Sequence, residues 1–223
     1  MKYAHKPWCK KWWGIFLIIL VIFFVSLFFA FALYIFNYTK NFDAASVPRE
    51  YISNPIIEGS KNNYWLGSAN PKITIVEFAD FDCIYCKKSF SKIREITSVY
   101  DNIKFIYRDF PVLSEFSAQL ASAARCAGEQ GLFWVMHDKL FINQGIGSDE
   151  EILELFKQIG GDEKKFNNCF QNNKYLPEIE KDLIDGQTLN ITGTPIWFIN
   201  GQRIEGDIPY EFLINLIEQN LNK

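Results

Sequence analysis

The apolar residues of this chain follow three patterns in turn. Residues 14–36 form an unbroken apolar run without a charged side chain. Residues 73–79 are β-branched and aromatic, which is typical of a buried strand. From Ile84 onward apolar residues recur at helical spacing. The patterns therefore predict an apolar helix over residues 14–36, a strand over 73–79 and a helix over about 84–100.

Further along the chain, the pattern predicts a second strand, a helical block and a closing strand pair with a helix. The second strand covers residues 103–108, and because one helix separates it from the first strand, the two should run parallel. Asn200-Gly201 is a strong signal for a tight hairpin. The remaining predicted segments are helices at 118–127, 133–142, 150–159, 177–189 and about 209–221, and strands at 196–199 and 202–205.

This order of elements predicts one α/β sheet whose two halves are separated in sequence by helices. We interpret it as a thioredoxin fold in residues 64–223 with an inserted helical subdomain at about 113–190. A chain segment of this size can build its own core. Residues 37–63 are polar and interrupted by prolines, which predicts a linker with a short strand around Ile56-Ile57.

The N-terminal part predicts a single-pass membrane anchor. Residues 1–13 carry four lysines and no acid. The run 14–36 would reach roughly 35 Å as a helix, enough to cross a hydrocarbon core of about 30 Å. By the positive-inside rule we expect residues 1–13 in the cytoplasm and 37–223 on the extracytoplasmic face of the cell membrane.

Two alternatives to the anchor stay open. Ala30-Phe31-Ala32 resembles a cleavage site, so a cleaved signal peptide is one alternative, although the run is longer than the roughly 7–15 residues of a signal h-region. A buried core helix is the other alternative, and the basic, aromatic flanks argue against it.

The 26 acidic residues outnumber the 23 basic ones, and four of the lysines lie before the run. This balance argues against nucleic acid as a partner.

The candidate chemistry lies in Cys83-Ile84-Tyr85-Cys86, where the strand passes into the helix. Cys83 is expected at the helix N-terminus, where unpaired N–H groups and the helix dipole favour a thiolate. Cys86 is close enough in sequence to form a disulfide with it. The motif therefore predicts thiol–disulfide exchange.

Three other cysteines complete the set. Cys9, in the tail, has no evident partner. The four cysteines after the apolar run permit three pairings. If Cys83 and Cys86 are the redox couple, Cys126 and Cys169 would form a structural disulfide worth roughly 3–5 kcal/mol in the chain-entropy model. Two separate buried thiols are the alternative, which an oxidising compartment disfavours.

Five stretches make the chain resemble a membrane-anchored member of the DsbA-like thiol–disulfide oxidoreductases. C-x-x-C after a strand, with Thr-Pro before a distant hairpin, is a specific combination, and the stretches together cover about residues 64–221. They are Leu66-Gly67-Ser68-Ala69, Val76 to Cys86, Arg108-Asp109-Phe110-Pro111, Arg125-Cys126-Ala127-Gly128 with Phe133-Trp134, and Gly193-Thr194-Pro195.

The resemblance implies roles for three further residues. Pro195 would be a cis-proline facing the active-site disulfide. Thr194 would pair through its backbone with an extended substrate and tune the exchange. Glu77 occupies the position where the family often keeps a buried acid, which would carry the proton that Cys86 gains or loses. A solvated strand glutamate is the alternative for Glu77.

The active-site surroundings depart from the family pattern. Ile84-Tyr85 offers neither a cation nor a strong donor to Cys83. Asp80 and Asp82 add negative charge that should oppose thiolate formation, and the two following lysines offset this in part. The direction of electron flow is therefore open. His137 is interpreted as a local structural histidine and not as a catalytic group.

We expect an extracytoplasmic protein-disulfide oxidoreductase, specifically a DsbA-type oxidase that introduces disulfides into reduced exported polypeptides. The resemblance implies recycling by a quinone-linked membrane oxidase, and we expect no cofactor or metal. A reductase or isomerase of the same fold is the first alternative. A metal-binding module and a non-catalytic client-binding domain are the others. The sequence lacks a suitably spaced second Cys or His pair, which counts against a closed zinc site, so copper is the metal considered.

Overall fold

The computed structural model describes residues 12–40, 54–60 and 63–221. These residues fall into two compact units, one within residues 1–43 and one within 44–223. Residues 1–11, with Cys9, and most of the predicted linker lie outside the described part.

The first unit is helix α1, Trp12–Lys40. Residues 12–36 of this helix are long and apolar enough to cross a membrane by length and composition. Large apolar side chains such as Phe16 and Phe28 are exposed along it. A lipid environment would cover such a surface, whereas water would not.

The second unit is built on a five-stranded sheet of order β1-β3-β2-β4-β5. Strands β2 and β3 run parallel and place Glu77 beside Tyr107. The other neighbouring pairs are antiparallel. The strands are β1 Trp65–Gly67, β2 Ile73–Ala79, β3 Ile103–Asp109, β4 Ile196–Ile199 and β5 Gln202–Glu205.

Helices cover the sheet and form the insertion between β3 and β4. The helices of the second unit are α2 Pro55–Glu58, α3 Ile84–Val99, α4 Ser117–Gly128, α5 Phe133–Ile142, α6 Asp149–Gln158, α7 Glu163–Gln171, α8 Leu176–Thr188 and α9 Tyr210–Leu221. Helices α4 to α8 are the inserted subdomain. The predicted thioredoxin fold with a helical insertion is confirmed.

The two faces of the sheet carry separate apolar cores. Every residue of β2 is buried, as expected for a central strand covered on both sides. Ile75 and Phe105 belong to the larger core, which also contains the cysteine pair and residues of α4 to α7. Val76 and Ile106 belong to the smaller core on the opposite face. Cys83 and Cys86 therefore lie on the face that helices α4 to α7 cover, whereas α8 packs on the opposite face.

Helix α7 and strand β1 were not predicted from the sequence. Helix α7 is mostly polar, but its buried residues Phe166, Cys169 and Phe170 have the i, i+3, i+4 spacing of one helix face, a signal that the sequence analysis overlooked. Its N-terminus is fixed by Asp162, whose side chain accepts hydrogen bonds from two backbone N–H groups. Strand β1 has three residues at the sheet edge, too few for a two-residue period to show.

The predicted strand around Ile56-Ile57 is wrong. These residues lie in the short helix α2, where Asn54 Oδ1 accepts hydrogen bonds from both of their N–H groups, at 2.9 and 3.4 Å. The segment is also not a free linker, because Ile57 is buried in the smaller core. Arg108 donates from Nη1 to the carbonyl oxygens of Ile56 and Ile57, which fixes α2 on the domain.

Candidate active site

Cys83 is the N-cap residue of α3 and Cys86 lies in the first turn of that helix. Cys83 Sγ accepts a hydrogen bond from the backbone N–H of Cys86 at 3.4 Å. Both cysteines are free thiols. Cys83 is 3% exposed and Cys86 fully buried, so a reaction partner can approach only the first sulfur. The geometry predicted for the motif at a helix N-terminus is present.

The surroundings of Cys83 favour its thiolate. Its pKa is lowered from 9.0 to about 6, chiefly by the hydrogen bond from the Cys86 side chain. Burial opposes this shift, while hydrogen bonds from Thr194 and from the backbone at Tyr85 and Cys86 add to it. Near neutral pH, Cys83 is therefore present mainly as the reactive anion.

The surroundings of Cys86 have the opposite effect. Burial raises the pKa of Cys86 well above its usual value, and the hydrogen bond that it gives to Cys83 raises it further. A charge on Glu77 acts in the same direction. The two cysteines thus differ strongly in acidity, with one poised as a thiolate and the other as a thiol.

Glu77 lies on β2 with 1% of its surface exposed, so the alternative of a solvated strand glutamate is wrong. Burial raises its pKa well above the ordinary value, and the charge of Cys83 raises it further, against a lowering hydrogen bond from Ser89. Glu77 Oε1 has no hydrogen-bond partner among the described residues. Burial therefore favours the neutral, protonated form of this carboxyl group, which lies close to the cysteine pair.

The segment just before β4 contacts the Cys83–Cys86 motif through Thr194. The Thr194–Pro195 peptide bond is cis. In its thiol form, Cys83 Sγ donates to the carbonyl oxygen of Thr194 at 3.2 Å. The structure thus brings Cys83, Cys86, Glu77, Thr194 and Pro195, which the sequence analysis put forward as site residues, into one neighbourhood.

The acids expected to oppose the thiolate are engaged elsewhere. Asp80 Oδ2 accepts from the N–H groups of Val112 and Leu113, at 2.8 and 2.9 Å. The carboxylate of Asp82 accepts from the Ser114 hydroxyl. Because backbone and hydroxyl donors hold these carboxylates, the pKa of Cys83 is low in spite of them, contrary to the sequence-based expectation.

Gln144 is a site residue that the sequence analysis missed. It follows α5, and its Nε2 donates to the carbonyl oxygens of Phe81 and Cys83 at 2.7 and 2.8 Å. The two bonds attach the insertion to the turn that presents Cys83. No sequence signal identifies this residue, because its partners are more than sixty positions away.

A network of buried salt bridges lies beside strand β3. Arg125 pairs with Asp109 and Asp182, with N–O distances of 2.5 and 2.7 Å. Arg108 pairs with Asp182 at 2.9 Å and with Asp185 at 2.6 Å. The network joins β3 to α4 and α8. Arg108-Asp109 and Arg125 belong to stretches noted in the sequence, but their partners on α8 were not foreseen.

Two further sequence predictions concern the other cysteines and His137. Cys126 and Cys169 form a disulfide that joins α4 to α7, with their Cα atoms 5.7 Å apart. His137 is buried on α5, where burial lowers its pKa and keeps the ring neutral. Its Nδ1 lies 2.9 Å from Asp138 Oδ1. Among the described residues, no group of three or more His, Cys, Asp or Glu could hold a metal ion.

Solved structures share the fold of the second unit. A thioredoxin-like oxidoreductase from Silicibacter pomeroyi aligns with a TM-score of 0.69 and 22% identity, over 77% of this chain and 99% of that one. The thiol–disulfide exchange protein α-DsbA2 from Wolbachia pipientis aligns with a TM-score of 0.68 and 26% identity, over 74% of this chain and 90% of that one.

The curated relatives are longer proteins. An Na⁺/H⁺ antiporter NhaA 1 from Salinispora arenicola is 30% identical over 149 residues, which are 66% of this chain and 23% of that protein. The chain thus spans about a quarter of the length of the curated relatives it matches.

The family assignment rests on the match along the chain together with the cysteine geometry. The family model described as thioredoxin matches residues 59–219, which contain the sheet, the insertion and every site residue described above. The chain belongs to the thioredoxin family and is a DsbA-like protein thiol–disulfide oxidoreductase.

Proposed function

We propose that the protein is a DsbA-type oxidase that introduces disulfides into reduced exported polypeptides. The observation that carries this proposal is the unequal acidity of Cys83 and Cys86. A thiolate stabilised at Cys83 stabilises the reduced enzyme relative to the disulfide. The Cys83–Cys86 disulfide is then a strong oxidant, since its reduction yields the favoured state.

The proposed reaction has two exchange steps. A client thiolate attacks Cys83 Sγ of the Cys83–Cys86 disulfide, and Cys86 leaves as a thiolate. A second client thiolate attacks the client sulfur of the mixed disulfide, and Cys83 leaves as a stable thiolate. The client is oxidised by two electrons and gains a disulfide, while the enzyme gains the two electrons and is left reduced.

We propose that Glu77 donates a proton to the buried Cys86 and takes it back during reoxidation. Cys86 leaves as a thiolate in a site that raises its pKa, so it requires a proton at once. Glu77 is suited to carry that proton because burial raises its own pKa and favours the protonated form. The reverse transfer would accompany reoxidation, when Cys86 must lose the proton again.

Client binding is proposed to use the exposed surface around Cys83. Ile84 and Tyr85 are 54% and 52% exposed, although both side chains are largely apolar. Val112 and Leu113 are also exposed, on the loop that Asp80 holds. An unfolded client could cover these side chains while its backbone pairs with Thr194, as in strand addition.

The location and the redox partner are proposed from the anchor and the family. Helix α1 would hold the enzyme in the cell membrane, with the N-terminal lysines in the cytoplasm and the catalytic unit on the extracytoplasmic face. The resemblance to DsbA-like proteins supports a quinone-linked membrane oxidase as the electron acceptor. An anchored enzyme would meet both this acceptor and newly exported chains at the membrane.

The full-length oxidised protein in detergent, mixed with a reduced two-cysteine test protein, tests the proposal. We expect stoichiometric loss of test-protein thiols, and no loss with the Cys83→Ala variant. A variant that still introduced disulfides would show that Cys83 is not the reacting sulfur. A wild-type protein that instead accepts electrons only from a strong reductant and reduces disulfides would favour the reductase or isomerase alternative.

A further inference from the structure

Besides Thr194 Oγ1, three buried polar atoms near the cysteine pair have no hydrogen-bond partner within the described part of the chain. They are Glu77 Oε1 on β2, Tyr107 Oη on β3 and His137 Nε2 on α5. Each of the three residues is at most 2% exposed. Buried polar atoms are almost always paired with protein or with ordered water, so three such atoms in neighbouring residues require an explanation.

The three residues are contiguous in space. The parallel register sets Glu77 directly beside Tyr107, so the two side chains lie on the same face of the sheet. The ring of Tyr107 lies 5.0 Å from the ring of His137, at an interplanar angle of 86°. Glu77 lies close enough to Cys83 and Cys86 for their charges to interact, and the charge of Cys86 also acts on Tyr107. The inner end of this row therefore lies at the cysteine pair.

The outer end of the row reaches the surface. His137 Nδ1 lies 2.9 Å from Asp138 Oδ1, and Asp138 is 27% exposed at its side chain. Asp138 Oδ2 also pairs with Arg94 Nε at 3.1 Å. A carboxylate at this position holds the imidazole proton on Nδ1, which leaves Nε2 as an acceptor inside the core.

We propose that Tyr107 and His137 form a proton relay, bridged by ordered water, that connects Glu77 with Asp138 and the solvent. This inference rests on the proposed role of Glu77 as the proton carrier for Cys86. Glu77 is buried on every side, so a proton that it takes up or gives away needs a route. Tyr107 Oη and His137 Nε2 are protonatable atoms along that route, and ordered water would bridge the gaps between them.

The transfer conserves protons and moves no electrons. During reoxidation Cys86 gives its proton to Glu77, which passes one to Tyr107. As Tyr107 receives it, the tyrosine's own proton moves to His137 Nε2, and the proton on Nδ1 leaves through Asp138. The reverse sequence protonates Cys86 when a client releases it, and it restores the original imidazole tautomer. Over one catalytic cycle the relay runs once in each direction.

The relay lies among charged and titratable groups that set its energetics. Asp109 is held in the ion network, and Arg94 is paired with Asp138. The other groups that act on Glu77, Tyr107 and His137 are Cys83, Cys86 and Asp80. A relay changes how fast protons equilibrate and leaves the end states alone, so its loss should alter rates without altering the reduction potential.

The Tyr107→Phe variant tests the inference, because it keeps the packed ring and removes only Oη. Stopped-flow exchange of the full-length protein with glutathione, from pH 5 to 9 in H₂O and D₂O, gives the rates. We expect the release and attack of Cys86 to slow by about tenfold or more, and the solvent isotope effect to change. The reduction potential and the Cys83 pKa should stay as in the wild type. Tyr100→Phe is the control, since its hydroxyl faces Glu218 at the surface, and it should leave every rate unchanged.

Glu77→Gln separates failure of the relay from failure of the proposed proton carrier. If this variant exchanges at the wild-type rate, Glu77 does not carry the proton, and the inference falls with that role. If Glu77→Gln slows exchange while Tyr107→Phe does not, Glu77 keeps its proposed role as proton carrier and the relay is overturned. The relay predicts that Tyr107→Phe has no further effect in the Glu77→Gln background.

His137→Phe is the second variant, and it covers the case in which Tyr107→Phe fails to fold. It removes both ring nitrogens and retains an aromatic ring among Phe81, Trp134 and Phe141. We expect the same slow exchange, again without an additional effect when Glu77 is replaced. Equal slowing with and without Glu77 would mean that the residue acts through packing, which would overturn the relay.

Discussion

The sulfur of Cys83 lies 3.2 Å from the carbonyl oxygen of Thr194, although 111 positions separate the two residues. The whole helical insertion lies between them in sequence. The fold thus assembles its reactive centre from the start of α3 and the segment before β4. A client backbone that pairs with Thr194 would be held beside the sulfur it must attack.

The reactivity of the reduced protein should follow the Cys83 thiolate. Its pKa of about 6 predicts that alkylation by iodoacetamide rises with pH, with a midpoint near pH 6. The thiolate absorbance at 240 nm should titrate with the same midpoint. In the Cys86→Ala variant the largest stabilising hydrogen bond is lost, so the pKa of Cys83 should rise. A midpoint near 9 in the wild type would contradict the described environment.

The same pKa predicts how the stability of the two redox forms diverges with pH. The folded pKa of Cys83 is depressed, so the thiolate stabilises the folded reduced protein fully above the unfolded pKa, near 9.0. This contribution is lost as the pH falls through about 6. Denaturant unfolding should therefore show the reduced protein gaining stability over the oxidised protein between about pH 6 and 9. A constant difference across that range would argue against a stabilised thiolate.

Gln144 should position the active-site turn. Gln144→Ala removes the donor to the carbonyl oxygens of Phe81 and Cys83, which should lower the free energy of unfolding by about 1–3 kcal/mol. Gln144→Glu should be more damaging, because a carboxylate faces two acceptors. Urea unfolding and the alkylation rate of Cys83 measure the effect. Asn143→Ala is the matched control, since Asn143 is exposed and bonds only within its own helix end. Equal effects at the two positions would remove the special role of Gln144.

The ion network should be a major determinant of stability. Asp182 is 2% exposed and bridges Arg108 and Arg125, so Asp182→Ala leaves two buried guanidinium groups under-compensated. We expect a loss of about 3–5 kcal/mol in unfolding free energy. Asp185→Ala should cost less, because its partially exposed carboxylate is shared with the exposed Lys181. A loss below about 1 kcal/mol for Asp182→Ala would mean that water replaces the carboxylate.

The second disulfide should support the fold without taking part in exchange. Removing it with the paired Cys126→Ala and Cys169→Ala substitutions should cost about 4 kcal/mol, since the bridge closes a loop of more than forty residues. Guanidinium unfolding measures the loss, and the reduction potential of the Cys83–Cys86 pair serves as the control. A shift in that potential would show that the bridge influences the active site.

The elements closest to the active site are those whose residues carry strong local patterns. Strand β2 is entirely β-branched or apolar apart from Glu77, and α3 has a regular apolar face with Cys83 at its cap, so both were predicted. The Asn200-Gly201 turn was predicted because few other structures suit that dipeptide. Helix α7 was not predicted because it is short and mostly polar, and its one apolar face consists of only Phe166, Cys169 and Phe170.

The relationships that sequence reasoning missed are pairings between distant positions. Nothing local to Gln144 indicates that it binds the turn before α3, and Asp182 reads as an ordinary polar residue on α8. Ile56-Ile57 favours a strand by residue type, but Asn54 before Pro55 is a local helix-start signal that was overlooked, and the distant Arg108 holds the resulting helix on the domain. Tertiary contacts of this kind override local propensity because each supplies more free energy than the propensity difference.

The reduction potential of the Cys83–Cys86 pair tests the proposed oxidase most directly. The full-length protein in detergent would be equilibrated with glutathione buffers of graded potential, and the fraction of free Cys83 measured by alkylation. The lowered pKa of Cys83 predicts a potential well above about −200 mV, as an oxidant requires. A value near about −270 mV would contradict the proposal and identify a thioredoxin-like reductant.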